Sequence, residues 1–508
     1  MPEAESRPAN EALRPAPSPA GEAPAAALRP LPRPLRRIHL IGIGGTGMGS
    51  LAALLHGRGY EVTGSDRALY PPMSVELARR GIPVEIGFEA ARIGRLRPDL
   101  VVIGNACRPD NPEARAALAS DAAVRSFPDA LFELFLRDRT RVAVCGTHGK
   151  TTTTALLATV LTETGRDPSV LLGGVAGNLG GGVRDGSGPH FVVEGDEYDT
   201  AFFDKTPKFL HYHPHLAILT SVEFDHADIY SDLGAVKAVF RRLASVLPAE
   251  GALVAAQDHE AVREVARSSA APVVGYGEGP GAAFRADEVR IGAEGTEFRL
   301  LCHGEAVGRG RVPLHGRHHL ANALAAVAAA ATLGVPAEEA LAALAAFRGV
   351  RRRQELRGTP GGVAVLDDFA HHPTAVRETL AATRARFPGR RLIAVLEPRS
   401  NTSRRRIFEQ DYARALAGAD RVLVCEPEPG PIYDVQGRVP EPFSAGRVAE
   451  LLEGLGRPAR ALPDADHILA ELLRTTGPGD VVLVMSNGSF GGLPERLLAA
   501  LEEKSAAP

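Results

Sequence analysis

An apolar strand that runs into a glycine-rich loop and then into a helix is the feature that most constrains this chain. The stretch VAVCGTHGKTTTT at 142–154 places Gly146, Gly149, Lys150 and Thr151 between the two elements. In an α/β sheet this order brings backbone N–H groups to a helix N-terminus, which binds phosphate. The loop lysine is informative because lysine is rare in this chain, occurring at 150, 205, 208, 237 and 504.

The loop is shorter than the full phosphate-loop pattern, because Val144 stands six residues before Lys150. It has the form G-T-x-G-K-T in a complete strand–loop–helix context, and a glycine-rich turn with a chance lysine is the alternative. Lys150 is predicted to reach the β- and γ-phosphates of ATP, and the Thr151 hydroxyl to bind Mg²⁺. The predicted ATP contacts cover the loop and the first helical turn: Gly146, Thr147, His148, Gly149, Lys150, Thr151 and Thr152.

Acidic side chains follow two later strands. HFVVEGDEYD ends its apolar run at Glu194, and LAILTSVEFDHADIY ends at Glu223, Asp225 and His226. Further carboxylates come directly after Glu194, at Asp196, Glu197 and Asp199. Mg²⁺ prefers such oxygen ligands, and parallel strands deliver them to one edge of a sheet. Either strand end alone could be a simple cap, but two of them after one phosphate loop predict a metal–nucleotide site.

A second glycine loop lies near the start of the chain. IHLIGIGGTGMG at 38–49 has the G-x-G-x-x-G spacing at Gly42, Gly44 and Gly47, and Asp66 lies nineteen residues beyond Gly47. This matches the dinucleotide fingerprint in outline. The pattern indicates a diphosphate at a helix N-terminus, so both a nicotinamide cofactor and another diphosphate stay open.

Short apolar runs alternate with amphipathic segments in three successive stretches, which predicts α/β domains in series, each built on a mainly parallel sheet. The predicted boundaries are 37–138, 139–346 and 347–508, with a β-meander at 281–312. Residues 1–36 are rich in proline and alanine and are predicted to be a disordered extension.

Charge and cysteine content exclude several classes of protein. A net charge of −3 gives no electrostatic reason to expect a nucleic-acid partner. No apolar run reaches the length of a membrane span, so membrane insertion is not expected. The cysteines are far apart and fit a reducing, cytoplasmic setting better than a disulfide framework; they are Cys107, Cys145, Cys302 and Cys425.

Taken in order, the motifs resemble those of the Mur ligase family over about 37–505. The motifs that carry the resemblance are GIGGTGMG, GTHGKTTT, EGDEYD, EFDHADIY, GRHHLANALAA, RRRQE and DDFAHHPT. The resemblance implies a UDP-sugar domain, a central ATPase and a C-terminal Rossmann-like domain. It also implies that a muramyl carboxylate attacks the γ-phosphate of ATP, and that an amine displaces phosphate from the resulting acyl phosphate.

The resemblance also assigns roles to individual residues. Lys150, His226 and Arg353 would be catalytic, Thr151 and Glu194 would hold one Mg²⁺, and His226 would bind a second. Asn322 would contact adenine, and Arg352, Arg353 and Asp368 would reach ATP from the C-terminal domain. The UDP-sugar would lie on the first glycine loop, at Gly42, Gly44, Gly45, Thr46, Gly47 and Asp66. The chain departs from the family at His318-His319, where His-Asn is usual.

Three stretches resemble the members that attach the tripeptide L-alanyl-γ-D-glutamyl-meso-diaminopimelate to UDP-N-acetylmuramic acid. They are 197–214, 396–404 and 484–492. A tripeptide with extra carboxylates needs polar ligands, which Arg399, Ser400 and Asn401 could supply. Members that attach L-alanine to the same UDP-sugar are the second interpretation. A nicotinamide-dependent oxidoreductase is the third.

The motif DDFAHHPT and Lys237 each have more than one interpretation. Asp367, Asp368, His371 and His372 in DDFAHHPT could hold zinc, but further clustered ligands are missing nearby in the sequence. Lys237 lies eleven residues beyond His226, which does not match the carbamylated lysine of relatives, so a surface helix position is preferred.

Overall fold

The computed structural model describes residues 29–70, 73–430, 432 and 441–506. The chain divides into two compact units. The first holds the residues up to 130 together with Asp199–Thr206, and the second holds Leu131–Tyr198 and the residues from Pro207 onward. Of the predicted extension at 1–36, residues 1–28 lie outside the described residues. Residues 29–36 are described, and Arg36 N–H donates to Asp99 Oδ2 of the first unit at 2.9 Å.

The first unit is built on a parallel sheet, as the alternating pattern predicts. Its elements are β1 Arg37–Ile41, α1 Thr46–Gly57, β2 Glu61–Asp66, α2 Met73–Arg79, β3 Val84–Ile86, α3 Ala90–Leu96, β4 Leu100–Ile103, α4 Pro112–Ala119, β5 Ala123–Ser126 and α5 Phe127–Leu131. The strand order is β3-β2-β1-β4-β5, with every adjacent pair parallel. The order reverses beside β1, so the first glycine loop follows the strand at the switch point, where open sheets bind ligands.

The second unit begins with a π-helical turn at Phe132–Leu136 and contains a larger sheet. The elements of its first part are β6 Thr140–Cys145, α6 Lys150–Glu163, β7 Ser169–Ala176, β8 Gly181–Arg184, β9 His190–Gly195, α7 Lys208–His211, β12 Leu216–Leu219, α8 Leu233–Ser245, β13 Ala252–Ala256, α9 Glu260–Ala266, β14 Val273–Gly277, β15 Phe284–Gly292, β16 Gly295–Cys302, β17 Glu305–Val312, α10 Arg317–Thr332 and α11 Ala337–Ala343. The hairpin of β10 Asp199–Ala201 and β11 Asp204–Pro207 interrupts this run, and Phe202 and Phe203 pack into the core of the first unit.

The strand order of this sheet is β17-β16-β15-β14-β13-β12-β6-β9-β7-β8. Its middle is parallel, and β15, β16 and β17 form the predicted antiparallel meander. The register places Val144 beside both Glu194 and Ile218. Consequently β6, β9 and β12 deliver the residues that follow them to one edge of the sheet.

A third sheet follows within the second unit. Its elements are β18 Glu355–Gly358, β19 Ala364–Asp368, α12 Pro373–Arg386, β20 Leu392–Leu396, α13 Glu409–Leu416, β21 Arg421–Cys425, α14 Ala445–Gly454, β22 Ala459–Leu462, α15 Ala465–Thr475, β23 Val481–Met485 and α16 Leu493–Ala506. The order is β18-β19-β23-β20-β21-β22, and β18 alone among the described strands of this sheet is antiparallel to its neighbour. Apolar cores cover both faces. The predicted α/β class is confirmed.

The structure differs from the predicted strands in two ways. Strand β12 ends at Leu219, so Glu223, Asp225 and His226 lie in the following loop rather than at the strand end. In addition, the sequence pattern does not predict short strands such as β5, whose four residues read AVRS. That strand is buried on both faces, and a buried strand this short lacks the alternation that identifies longer ones.

Candidate active site

The phosphate-loop motif lies between β6 and α6 in the second unit. Gly149 has φ +83° and precedes Lys150, the first residue of α6. The loop is fastened to the segment after β12, since His148 N–H donates to Ser221 Oγ at 2.9 Å and Thr220 Oγ1 donates to His148 O at 2.5 Å. The N-terminal N–H groups of α6 are therefore held in a fixed position that suits an anion.

Gly149 is a position where only glycine fits. A Cβ there would lie 2.5 Å from Asn322 Oδ1, in a left-handed backbone conformation. We expect Gly149→Ala to raise KM for ATP by about 10-fold or more. Gly165→Ala is the matched control, because Gly165 has φ +74° but open space around the new methyl group. Both variants strain the backbone, but only Gly149→Ala places a methyl group against Asn322. Equal KM values for ATP in the two variants would therefore mean that backbone strain, and not the shape of the phosphate loop, causes the rise in KM.

Lys150 is held by a buried carboxylate. Its Nζ donates to Glu197 Oε2 at 2.8 Å and to Gly146 O at 2.7 Å, and the Glu197 side chain is 2% exposed. Burial alone would lower the pKa of Lys150, but Glu197, Asp196 and Glu194 together outweigh it, and the pKa lies above its usual value. Burial would likewise raise the pKa of Glu197, yet Lys150 and His226 lower it to about 2. Both groups are charged at neutral pH.

Thr151 and Glu194, the predicted Mg²⁺ ligands, are in contact. Thr151 Oγ1 donates to Glu194 Oε2 at 3.2 Å, and Gly173 N–H donates to Glu194 Oε1 at 2.8 Å. Burial and the neighbouring charge of Asp196 raise the pKa of Glu194 to about 6. A hydroxyl beside a carboxylate that lacks a full countercharge is a donor set that fits Mg²⁺.

His226 lies on the other side of Glu197. Its Nε2 is 3.4 Å from Glu197 Oε1, and its backbone has φ +53°, which is unusual for a residue with a side chain. Burial opposes protonation, but Glu197 and Asp225 raise the pKa of His226 to about 9. Binding of a metal at Nε2 would release that proton. Glu197 thus joins two of the predicted catalytic residues, Lys150 and His226.

Asn322 lies on α10, directly beside the phosphate loop. The Asn322 side chain is buried, with Nδ2 3.4 Å from His319 Nδ1. The rings of His318 and His319, the pair that departs from the family, are 4.1 Å apart. Burial lowers the pKa of both, that of His318 to about 4. These imidazoles are therefore neutral side chains packed behind Asn322.

The His318 pKa predicts a pH dependence of stability. The folded chain binds fewer protons at His318 than the unfolded chain between pH 6.5 and about pH 4, so the free energy of unfolding falls as the pH falls through this range. His318→Gln keeps a polar group 3.2 Å from Gln354 Nε2 without a titrating ring. Urea unfolding measures the free energy of unfolding at about pH 7 and at about pH 5. Between these two pH values, this free energy should fall less for the variant than for the wild type. Equal losses would contradict this assignment.

The structure brings Arg353 into contact with Thr151, and it gives Arg352 and Asp368 hydrogen-bond partners in the C-terminal part of the chain. Arg353 Nη2 donates to Thr151 Oγ1 at 3.3 Å, and its guanidinium lies 4.5 Å from the centre of the Phe369 ring. Arg352 donates to Ser486 O at 2.6 Å within the third sheet. Asp368 accepts from two backbone N–H groups of its own region, each at 2.7 Å. Direct ATP contact by Arg352 and Asp368 stays a prediction.

The four residues of the zinc interpretation are not brought together as one group among the described residues. Asp367 accepts from Arg352 and Asp368 from the backbone, which satisfies both carboxylates. His371 Nε2 lies 3.9 Å from Asp225 Oδ2, and His372 turns toward Glu223. The sequence order placed these residues close along the chain, but their side chains face different neighbours.

The predicted peptide loop lies at the end of β20. Arg399 is exposed and lies over Gly488, whereas Ser400 Oγ donates to Ser403 Oγ and Asn401 Oδ1 accepts from Arg405 within the same loop. The same loop contacts the segment after His226. Ala227 N–H donates to Thr402 Oγ1 at 3.1 Å, and Arg405 Nη2 donates to Ala227 O at 3.0 Å. The peptide loop and the His226 segment are therefore physically joined.

The first glycine loop is described within its own unit. Gly42 has φ +84°, Gly45 caps α1, and Thr46 is the first residue of the helix. Asp66 Oδ2 accepts from Gly44 N–H at 2.7 Å. A Cβ at Gly44 would lie 2.8 Å from that oxygen, so the loop needs glycine there. Gly47 packs beside the Phe127 ring.

Sequence reasoning left some site residues without a role. Glu197 was one of several carboxylates after β9, and nothing in the sequence distinguished it from Asp196, which contacts Lys208 at 3.3 Å. Thr220 and Ser221 anchor the phosphate loop, although the stretch LAILTSVEFD predicts a strand that includes them. Their polarity, directly after the apolar run LAIL, is the signal that could have found them. Lys237 pairs with Glu264 at 2.6 Å on α8, in agreement with the preferred surface interpretation.

Comparison with known proteins identifies the class of protein that this fold and site define. The model of the Mur ligase family catalytic domain matches residues 37–139, the Mur ligase middle domain matches 144–330, and the Mur ligase glutamate ligase domain matches 352–488. The chain belongs to the Mur ligase family and is a ligase. Three domains in series are thereby confirmed, and the oxidoreductase interpretation is set aside.

Three individual members of the family are similar to this chain over most of its length. The chain is 41% identical over 472 residues, 93% of this chain and 99% of the relative, to the UDP-N-acetylmuramate–L-alanyl-γ-D-glutamyl-meso-2,6-diaminoheptandioate ligase of Escherichia coli strain K12. A crystal structure of a murein peptide ligase from Psychrobacter arcticus matches with 34% identity and a TM-score of 0.67, covering 92% of this chain and 98% of that one. The UDP-N-acetylmuramate–L-alanine ligase of Salinibacter ruber is 37% identical over 470 residues, 92% of this chain and 95% of the relative.

The state of the cysteines and the character of the helices complete the description of the chain. The four cysteines are free thiols. No helix within the described ranges has the length and apolar character needed to cross a membrane.

Proposed function

We propose that this chain uses ATP to join the tripeptide L-alanyl-γ-D-glutamyl-meso-diaminopimelate to UDP-N-acetylmuramic acid. The observation that carries the proposal is the 41% identity to the Escherichia coli ligase named for this reaction, which extends over 99% of that protein. The joining of Lys150, Glu197 and His226 at one sheet edge supports it, since acyl phosphate formation needs positive charge at one point. The free thiols support a cytoplasmic location for this reaction.

The residues of the phosphate loop would bind and position ATP. Lys150 would exchange its partner Glu197 for a phosphate oxygen, because the two acceptors compete for one buried ammonium group. The N–H groups at the start of α6 would bind the β-phosphate. Arg353, already in contact with Thr151, would bring a second cation to the phosphates from the C-terminal part of the chain. Together these groups stabilise the charge that develops on the transferred phosphoryl group.

Mg²⁺ would be held by Thr151 and Glu194, with His226 as the ligand of a second ion. The donor set fits, because the Thr151 hydroxyl and the Glu194 carboxylate are in contact and the carboxylate lacks a full countercharge. When bound, Mg²⁺ supplies charge neutralisation for the phosphate oxygens. Gly173 N–H and Glu197 hold Glu194 and His226, respectively, in place for this role.

The two substrates that form the amide would bind to different parts of the chain. The first glycine loop and Asp66 would hold the diphosphate of UDP-N-acetylmuramic acid, whose carboxylate attacks ATP. The loop Arg399–Asn401 would bind the carboxylates of the tripeptide. Because this loop contacts Ala227, tripeptide binding would act directly on the segment that carries His226.

An L-alanine ligase is the second candidate, since the Salinibacter ruber enzyme named for that reaction is 37% identical. Purified protein with ATP, Mg²⁺ and UDP-N-acetylmuramic acid tests both candidates by phosphate release. We expect release with the tripeptide and little with L-alanine. Rapid release with L-alanine and none with the tripeptide would overturn the proposal.

Arg399 should affect the peptide substrate alone. We expect Arg399→Ala to raise KM for the tripeptide by about 10–100-fold, the value of a charge-assisted hydrogen bond, with KM for ATP unchanged. Arg399→Lys should recover only part of the loss, because lysine lacks the bidentate fork. Arg414→Ala, at an exposed arginine on α13 that pairs with Asp411, is the control. A change in KM for ATP that matches the change for the tripeptide would contradict the assignment.

A further inference from the structure

A second group of metal-ligand type lies beside the phosphate loop, separate from Thr151 and Glu194. It consists of His148, Glu223 and His372, each offering one ligand atom, and these atoms all lie within 4.8 Å of one another. His148 belongs to the phosphate loop, Glu223 to the loop after β12, and His372 caps the N-terminus of α12. Glu223 and His372 have no role in the proposed reaction, and His148 is predicted to contact ATP as part of the phosphate loop.

The spacing of the three atoms suits a tetrahedral ion. Glu223 Oε2 is 3.5 Å from His148 Nε2 and 3.6 Å from His372 Nδ1. Ligands of a tetrahedral zinc ion, bound at the usual metal–ligand lengths, are about 3.3 Å from one another. Small side-chain adjustments would therefore bring all three atoms into coordination.

The contacts of His372 and Glu223 are compatible with metal binding. His372 Nε2 lies 3.2 Å from Phe224 O, which fixes the N–H on that nitrogen and leaves Nδ1, 3.6 Å from Glu223 Oε2, as the unprotonated ring nitrogen. Nδ1 also accepts a long contact of 3.3 Å from Thr374 N–H, which a metal would displace. Thr374 Oγ1 donates to Glu223 Oε2 at 2.7 Å. A backbone carbonyl behind a histidine and a hydroxyl on a carboxylate are the outer contacts typical of zinc ligands.

His148 supplies an independent observation. Its Nε2 is buried and makes no hydrogen bond within the described part of the chain, although it lies at ion-pair distance from Glu223. A buried ring nitrogen without a hydrogen bond is uncommon and calls for an explanation. The His148 and Glu223 side chains keep 24% and 26% exposure, so an ion and one water molecule can reach the site.

We propose that His148, Glu223 and His372 form a binding site for a divalent transition-metal ion of the zinc class, with water as the fourth ligand. Two imidazoles favour such an ion over Mg²⁺, which prefers oxygen. A bound ion would join the phosphate loop to the first turn of α12. It would thereby fix the position of the loop that carries Lys150.

The test is a Zn²⁺ titration of the full chain, without nucleotide or Mg²⁺, by calorimetry against a competing chelator. His372→Ala is the variant and His371→Ala the matched control, because the neighbouring ring faces Asp225 instead. Removing a residue that only hydrogen-bonds to a metal ligand lowers metal affinity by about 10–100-fold. Removing His372, a ligand itself, should therefore weaken Zn²⁺ binding by at least about 100-fold. The control should bind within about 3-fold of the wild type.

Two further measurements keep the test decisive. Zn²⁺ should raise the thermal unfolding midpoint of the wild type and of His371→Ala but not of His372→Ala, and His148→Ala replaces the variant if it does not fold. Co²⁺ should give the visible spectrum of a tetrahedral nitrogen–oxygen site. Equal Zn²⁺ affinity in the wild type and His372→Ala, or a Co²⁺ spectrum dominated by thiolate bands, would overturn the proposal.

Discussion

Replacing Lys150 with alanine is expected to lower kcat for ligation by roughly 10³-fold or more. The Lys150 ammonium lies at the start of α6 on a side chain that is 14% exposed, and it is held by Glu197 and Gly146 O, so its charge is already positioned for the phosphates. The variant loses a preorganised cation that acts on developing phosphoryl charge, and it leaves Glu197 without its strongest partner. Steady-state phosphate release with all three substrates measures the effect.

Lys237→Ala is the matched control, because Lys237 also forms a close ion pair, with Glu264, but lies on α8. It should keep near wild-type kcat. Thermal unfolding of both variants separates loss of catalysis from loss of the fold. A folded Lys150→Ala protein with normal turnover would show that the loop does not act on the phosphates.

Replacing Glu194 with glutamine should have the second largest effect. Its carboxylate accepts from Thr151 Oγ1 and Gly173 N–H, and an amide keeps the size but loses the charge that binds Mg²⁺. We expect kcat to fall by roughly 100-fold and the Mg²⁺ concentration for half-maximal rate to rise by about 10-fold or more. Initial rates over a range of Mg²⁺ concentrations measure both quantities.

Asp196→Asn provides the comparison for Glu194→Gln, because Asp196 lies two residues away and contacts Lys208. Its Mg²⁺ dependence should stay close to that of the wild type. If both variants shifted the Mg²⁺ requirement equally, a general loss of negative charge would explain the result. Glu194 would then not be a specific ligand.

The phosphate loop and the acidic residues after β9 and β12 could be predicted because local pattern determines them. A strand, a glycine turn and a helix follow from a short stretch of sequence, and parallel strands bring Glu194 and His226 to the same edge. The left-handed backbone of His226 could not be predicted, since nothing in its neighbours requires it. The end of β12 at Leu219 could have been predicted, because the polar residues Thr220 and Ser221 directly follow the apolar run LAIL.

Contacts between residues far apart in the sequence could not be predicted either. Arg353 reaches Thr151, which lies 202 residues earlier, and His372 lies beside Glu223 and contacts Phe224, 148 residues earlier. Such pairs depend on how two sheets of the second unit pack together. The resemblance placed Arg353 near ATP, but the pairing of Glu197 with both Lys150 and His226 came only from the structure.

The most direct test of the account is a competition between the two amines. The protein is incubated with ATP, Mg²⁺, UDP-N-acetylmuramic acid and equal concentrations of the tripeptide and L-alanine, and the products are identified by mass spectrometry. We expect UDP-N-acetylmuramoyl-tripeptide to be the dominant product. A dominant UDP-N-acetylmuramoyl-L-alanine product would contradict it.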